Sequence, residues 1–162
     1  MNIIILKNYW FICVSFIFWM MVSIIPLGTY WVIIRPEFIV LSLIYWAIFV
    51  PGLVGIIFAF ILGIFWDLLL GSPLGASSLS LCLIVYLVNF LRPKLVSSCL
   101  WQQALTIFSL VASYKLILLW ANLFNTSISV PISYWLSILT SIIAWPLVYI
   151  ATQYYQSITA IR

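Results

Sequence analysis

The feature that most constrains this chain is a series of small residues spaced four apart between residues 52 and 75. Five positions are Gly or Ala and one is an acid, and in order they are Gly55, Ala59, Gly63, Asp67, Gly71 and Gly75. Residues four apart lie on one face of an α-helix. A face of small residues lets another helix approach closely, as in the small-xxx-small packing of membrane helices. The pattern therefore predicts a helix-packing face made by Gly55, Ala59, Gly63, Gly71 and Gly75.

The chain's hydropathy places this helix in a membrane. Of the 162 residues, 67% are hydrophobic and 5% are charged, whereas a soluble domain has about 25% charged residues. A membrane-spanning helix needs about 20 apolar residues. The sequence therefore predicts a single-domain, all-α integral membrane protein with six transmembrane helices. The predicted spans cover residues 8–25, 36–50, 52–71, 75–92, 98–122 and 132–154.

Prolines mark most of the predicted boundaries. Of the seven prolines, only Pro146 falls inside a predicted span, where it should kink the helix. The fourth span is expected to stop at Arg92-Pro93-Lys94. The second span, between Pro36 and Pro51, is short: its 14 residues extend about 21 Å, less than the roughly 30 Å of a bilayer core.

The basic residues predict the orientation of the spans. With six spans and a cytoplasmic N-terminus, the cytoplasmic side holds Lys7, Arg92, Lys94 and Arg162, and the outer side holds Arg35. This distribution follows the positive-inside rule. If the short second segment were re-entrant, Arg92 and Lys94 would move outside and the bias would largely vanish. Both termini are therefore expected in the cytoplasm.

Asp67, Lys115 and Arg35 are the candidates for a polar site within the membrane. Asp67 lies about 22 Å and Lys115 about 26 Å from the cytoplasmic ends of their spans, at the helical rise of 1.5 Å. Because buried charges are normally paired, Asp67 is expected to face Lys115 or Arg35 inside the bundle. A structural ion pair is favoured over a functional site, since a proton relay would need a chain of titratable groups.

The chain lacks the residues that several classes of function would need. The chain has no histidine, and its three cysteines form no CxxC pair, so neither a metal nor another cofactor is expected. No serine is accompanied by a base, which argues against an enzyme. The six basic residues are scattered between apolar spans, so nucleic acid is not an expected partner. Gln102 and Gln103 are expected to satisfy backbone groups at a helix end, with partner binding as the alternative.

The whole chain resembles the MreD family of bacterial rod shape-determining membrane proteins. The resemblance rests on RPEFIVLSLIYWAI at residues 35–48, GIFWDLLLGSPLG at 63–75, WQQAL at 101–105 and the late Trp-Pro pair. The strongest piece is the pattern Gly-x3-Asp-Leu-Leu-x-Gly-x3-Gly. The positions that match the family's motifs are Arg35, Pro36, Gly63, Asp67, Gly71, Gly75, Trp101, Gln102, Gln103, Trp145 and Pro146.

The resemblance implies a non-enzymatic scaffold in the bacterial inner membrane. Its implied partners are MreC above all, then the actin-like MreB, the glycosyltransferase RodA and penicillin-binding protein 2, besides membrane lipid. The family's helix arrangement is similar to the S components of energy-coupling-factor transporters. That similarity leaves an alternative, a substrate-binding subunit for a small solute or a lipid-linked substrate. The bulky first span argues against it, because such subunits dock their coupling partner through small residues there.

Overall fold

The chain forms only helices and short connections in the parts that the computed structural model describes, which are residues 2–25, 35–123 and 133–159. The all-α prediction is confirmed for these residues. Most of the predicted connections at 26–35 and 123–131, and Arg162, lie outside them. The six helices in the described ranges are α1 (Asn2–Ile24), α2 (Phe38–Phe49), α3 (Ile56–Leu70), α4 (Ala76–Ser97), α5 (Leu100–Leu123) and α6 (Ser133–Thr159).

Contacts along α2 show that α1 is antiparallel to it. Near the start of α2, the ring of Phe38 stacks on Trp19 with centroids 5.2 Å apart. Near the end of α2, Trp46 Nε1 donates a hydrogen bond of 3.3 Å to Ser15 Oγ. The residue number on α1 thus falls as the number on α2 rises.

Helix α6, in contrast, is parallel to α2. The backbone N–H of Glu37, just before α2, donates to Ser141 Oγ at 3.0 Å. Two turns further on, the rings of Tyr45 and Tyr149 are in contact with centroids 5.6 Å apart. The two contacts have the same offset in sequence, as expected for two helices that run in the same direction.

The remaining helices continue this alternation. Helices α3 and α4 form a hairpin through the turn at residues 71–75. Arg92 near the end of α4 contacts the carbonyl of Ile48 near the end of α2, and Lys115 on α5 contacts Glu37. The six helices therefore run alternately between two ends of the bundle. We call these ends the Glu37 end and the Arg92 end.

Helix α2 is the central helix of the bundle. Ten consecutive residues, Ile39 to Ile48, are buried, and α1, α4, α5 and α6 all contact the helix. With 12 residues it is about 18 Å long. The short second span of the sequence is explained by this position, because a helix surrounded by protein does not have to match the thickness of the lipid.

Three of the helices are long and apolar enough to cross a membrane by themselves. They are the segments Ala76–Ser97, Trp101–Ala121 and Trp135–Tyr154. The apolar segments Trp10–Ile24, Phe38–Phe49 and Ile56–Leu70 are shorter. These lengths and the composition indicate a membrane protein, while a count of six crossings stays a prediction.

Helix α4 does not stop at Pro93 as the sequence suggested, but continues to Ser97 with the proline inside it. Proline removes one backbone donor from a helix. Side chains beyond it satisfy the last carbonyls: Ser97 Oγ donates to the Pro93 oxygen and Ser98 Oγ to the Leu95 oxygen, each at 3.0 Å. These hydrogen bonds explain how one further turn persists after the proline.

Candidate functional site

Helices α3 and α4 of the hairpin approach each other closely at Gly63 of α3. A Cβ atom built on this glycine would lie 2.4 Å from Cα and 2.6 Å from the backbone nitrogen of Ser78 on α4. Backbone atoms cannot rotate out of the way as a side chain can. One turn earlier, Ala59 is completely buried. The predicted close packing of a small-residue face is therefore present at this crossing.

The other three glycines of the predicted face have a different role, which corrects the sequence prediction. Gly55 is the N-cap of α3, and Gly71 and Gly75 flank the turn that follows it. A Cβ on any of them would meet nothing within 4 Å. Gly71 and Gly75 have φ angles of +64° and +102°, in the left-handed region that glycine adopts most readily. Small residues continue at a spacing of four beyond the end of the helix. After Asp67, however, these glycines form the turn and do not make a helix-packing face.

Asp67 connects the end of α3 to the start of α4. Its side chain is fully buried. The carboxylate accepts hydrogen bonds from Ser72 Oγ at 2.8 Å, from the Gly75 N–H at 2.9 Å, and from the Ser77 N–H at 3.2 and 3.3 Å to its two oxygens. A negative charge is stabilised at a helix N-terminus by the free N–H groups and the helix dipole. Asp67 therefore caps α4 from the preceding helix.

The expected pairing of Asp67 with Lys115 or Arg35 is wrong. Neither cation is among the partners of the carboxylate. Instead, Lys115 Nζ lies 2.5 Å from Glu37 Oε1. The prediction failed because it estimated only depth along each helix, and it overlooked backbone N–H groups as partners for Asp67. Glu37 is the acid that neutralises Lys115.

The Glu37–Lys115 ion pair belongs to a polar contact that joins three helices. The side chains of Lys115 and Glu37 are 9% and 21% exposed, so the pair is largely shielded from water. The Glu37 N–H donates to Ser141 Oγ, and this hydroxyl donates in turn to the Ser137 carbonyl oxygen at 2.6 Å. The start of α2 is thereby held to both α5 and α6.

Arg92 and Gln103 form further polar contacts at the Arg92 end. Arg92 Nε donates to the Ile48 oxygen at 2.8 Å, which satisfies a carbonyl near the C-terminus of α2. Gln103 Nε2 donates to the Leu95 oxygen at 2.9 Å and to the Ser98 oxygen at 3.3 Å. Gln103 thus performs the helix-end role that the sequence suggested. Sequence reasoning placed Arg92 in the cytoplasmic charge count and missed its contact with α2.

The remaining motif positions are spread over the molecule and do not form one site. Arg35 and Pro36 are half-buried and precede α2, and Trp101 and Gln102 are exposed at the start of α5. Trp145 is buried on α6 and Pro146 follows it inside the same helix. The motifs therefore mark a hairpin, a central helix and two helix ends.

An apolar groove of about 330 Å³ lies between α1 and α3. Phe16 and Ile17 of α1 form part of one wall, and Phe58 and Phe65 of α3 form part of the other. The lining also includes the sulfur-containing residues Cys13 and Met20, and its other residues are aliphatic or aromatic, so the groove offers mainly shape and apolar contact.

Comparison with known proteins identifies the family. The model of the family "rod shape-determining protein MreD" matches residues 5–158. The chain belongs to the MreD family. Members of this family are shape-determining structural proteins and are not known as enzymes, so a role in rod shape follows from membership.

A curated relative supports the same assignment. The rod shape-determining protein MreD of Haemophilus influenzae is 31% identical over 147 residues, which cover 87% of this chain and 88% of the relative. The search of solved structures found no match. The similarity to the S components of transporters therefore stays a prediction.

Proposed function

We propose that this MreD-family chain is a non-enzymatic inner-membrane scaffold of the rod elongation complex, which organises lateral peptidoglycan synthesis. The observation that supports this most directly is that both acidic residues of the chain connect helices to one another. Asp67 joins α3 to α4, and Glu37 joins α2 to α5 through Lys115. Both carboxylates thus stabilise the arrangement of helices, as a protein that acts by its shape requires.

The proposed partners are MreC above all, with MreB, RodA and penicillin-binding protein 2 in the same complex. Their assignment follows from the family resemblance. The apolar outer surface of α3, which includes the exposed residues Ile57, Phe60, Ile61 and Phe65, supports a partner that is held within the membrane. Affinity purification of the intact chain in mild detergent tests the proposal, because MreC and the two wall-synthesis enzymes should be recovered with it.

The proposal includes six membrane crossings with both termini in the cytoplasm. The alternating directions of the six helices support it, because consecutive helices then cross the membrane in opposite directions. Arg92 and Lys94, near one end of α4, suit a cytoplasmic end by the positive-inside rule. Reporter fusions at the C-terminus measure this directly. Activity of a periplasmic reporter alone would contradict the orientation.

The phenotype of cells that lack the protein distinguishes the scaffold proposal from the transporter alternative. A scaffold predicts round or swollen cells in which the individual wall-synthesis enzymes keep their activity when assayed alone. A substrate-binding subunit instead predicts a loss of solute uptake in cells of normal shape. Complementation with the wild-type chain is the control, and the second result would overturn the scaffold proposal.

A further inference from the structure

Exposed aromatic residues lie near both ends of α5 and of α6. On α5 they are Trp101 and Trp120, and on α6 they are Trp135 and Tyr154. The members of each pair are 19 residues apart in the sequence, which is about 28 Å along a helix. Tryptophan and tyrosine are enriched where a membrane meets water, and a bilayer core is roughly 30 Å thick. These two helices therefore fit a bilayer of ordinary thickness.

Helix α3 is shorter and begins well before the Arg92 end is reached. The Ile56 oxygen accepts a hydrogen bond of 3.5 Å from Cys82 Sγ. Cys82 lies ten residues before Arg92 on α4, or about 15 Å along the axis. Gly55, the N-cap of α3, makes no side-chain hydrogen bond, so the first N–H groups of the helix depend on water. Because exposed backbone groups are not tolerated in hydrocarbon, the membrane surface has to lie near the start of α3.

The exposed side of α4 becomes polar just beyond the start of α3. Tyr86 and Asn89 are exposed and follow Cys82 by about one and two helical turns. An amide is costly to transfer into hydrocarbon, and tyrosine favours the interface. Asn89 lies 14 residues after Gly75, the N-cap of α4, or about 21 Å along the axis. The lipid-facing length of α4 thus agrees with the length of α3, which is about 22 Å.

We propose that α3 and α4 form a thin side of the protein, beside which the bilayer is about 7 Å thinner than beside α5 and α6. The inference rests on the membrane crossings included in the proposed function. The partner of this side is the phospholipid bilayer itself. Since a mismatch in length sorts the molecules around a short helix, lipids with short acyl chains should be enriched beside α3.

The test compares two phenylalanines that lie at the same level on opposite sides. Phe90 on α4 and Phe108 on α5 are exposed, and each is five residues from the hydrogen bond between Gln103 and the Leu95 oxygen. The full-length chain, with its three cysteines replaced by alanine, carries Phe90→Cys or Phe108→Cys with a nitroxide label in dioleoylphosphatidylcholine vesicles. Collisions with oxygen and with a water-soluble nickel chelate measure the depth of the label. The Phe90 label should be shallower by about 7 Å, whereas a flat bilayer predicts equal depths.

Two further labels separate the thin side from the crossings on which it rests. Leu83 on α4 and Leu116 on α5 are exposed, and they lie 12 and 13 residues from Leu95 and Gln103 respectively. Labels at Leu83→Cys and Leu116→Cys should both lie in hydrocarbon. If either is in water, the crossing of that helix is wrong. If both are in hydrocarbon while the Phe90 and Phe108 labels have equal depths, the crossings stand and the thin side is overturned.

Asn89→Leu should move the Phe90 label deeper, because it removes a polar group that holds the interface there. Ser109→Leu is the matched control, since this exposed serine has the same position next to Phe108, and it should leave the Phe108 label unchanged. Equal shifts from the two leucines would contradict the role of Asn89.

A second measurement needs no substitution. Native mass spectrometry of the wild-type chain, extracted from vesicles with equal amounts of dimyristoleoyl- and dioleoylphosphatidylcholine, should find the shorter lipid enriched among those retained. Equal retention would overturn the proposal, and recovery of the chain as a dimer would assign the α3 side to a second copy instead.

Discussion

Helices α2 and α3 are both short, but they are buried in opposite ways. They have 12 and 15 residues, or about 18 and 22 Å, and both are shorter than the roughly 30 Å bilayer core. Ten consecutive residues of α2 are buried, whereas α3 buries only Ala59, Leu62, Gly63, Trp66 and Asp67. A short apolar helix is therefore no sign of a particular environment. One of these is enclosed by protein and the other packs mainly on a single neighbour.

This difference predicts how each helix responds to mutation. Helix α2 is held by contacts with four other helices, so the loss of one small group should matter little. Helix α3 depends on its crossing with α4 at Gly63 and on the cap made by Asp67. Single changes at those two positions should therefore have the largest effects.

The largest effect is expected for Gly63→Ala. The added methyl would overlap the Ser78 backbone, so the two helices would have to move apart. Overpacking of a close contact costs about 1–3 kcal/mol and occasionally more, and the upper end is expected because no side chain can yield. The free energy of unfolding, measured by titration with sodium dodecyl sulfate in mixed micelles, gives the loss directly.

Gly55→Ala is the matched control for this change. It adds the same methyl to the same helix, at an N-cap where nothing lies within 4 Å. Its cost should stay below about 1 kcal/mol. Equal losses for the two alanine variants would show that the crossing at Gly63 is not closely packed.

Asp67→Asn should destabilise the protein by about 2–3 kcal/mol, because hydrogen bonds to a charged group are lost and its donors stay buried. The amide has one acceptor oxygen in place of two, and its NH₂ group would face N–H donors. Combining Asp67→Lys with Lys115→Asp should give no recovery, since these residues are not partners. Recovery in that double variant, measured by the same titration, would contradict the contacts described for Asp67.

Lys115→Met should cost about 2 kcal/mol, because it leaves the Glu37 carboxylate without its cation. Breaking a buried ion pair costs about 3–5 kcal/mol, and partial exposure of Glu37 reduces that value. Adding Glu37→Gln should recover part of the loss by removing the unpaired charge. A double variant no more stable than Lys115→Met would show that the pair does not hold α2 to α5.

The sequence predicted those features that depend directly on which residue types occur and how they are spaced. Hydropathy identified the helical membrane class, and the spacing of small residues located the crossing at Gly63. The partner of Lys115 could not be found in the same way. Depth along a helix gives an axial position, while pairing also depends on which way each helix is turned. Glu37 and Lys115 meet because α2 is central, and nothing in a single chain's hydropathy shows which helix is enclosed.

Turns and helix ends were predicted less well for a second reason. The proline rule placed the end of α4 at Pro93, but the rule describes backbone preference alone. Ser97, Ser98 and Gln103 donate to the last carbonyls from positions that no periodicity marks. Likewise, the glycine spacing continued through Gly71, where it specifies a left-handed turn. Glycine allows both close helix packing and a left-handed turn, and the spacing of glycines does not show which of the two a given position requires.

The smallest effects are expected for Ser42→Ala on α2 and Ser78→Ala on α4. Both hydroxyl oxygens are buried without a hydrogen-bond partner among the described residues. Removing such a group loses no hydrogen bond and relieves a desolvation cost, so each change should be neutral or stabilise the protein by up to about 1 kcal/mol. Ser72→Ala is the contrasting variant and should cost about 1 kcal/mol, because Ser72 Oγ donates to Asp67. If Ser42→Ala instead costs as much as Ser72→Ala, the hydroxyl of Ser42 has a partner from outside the described residues. The central helix would then be less completely enclosed than its burial indicates, and its difference from α3 would be smaller.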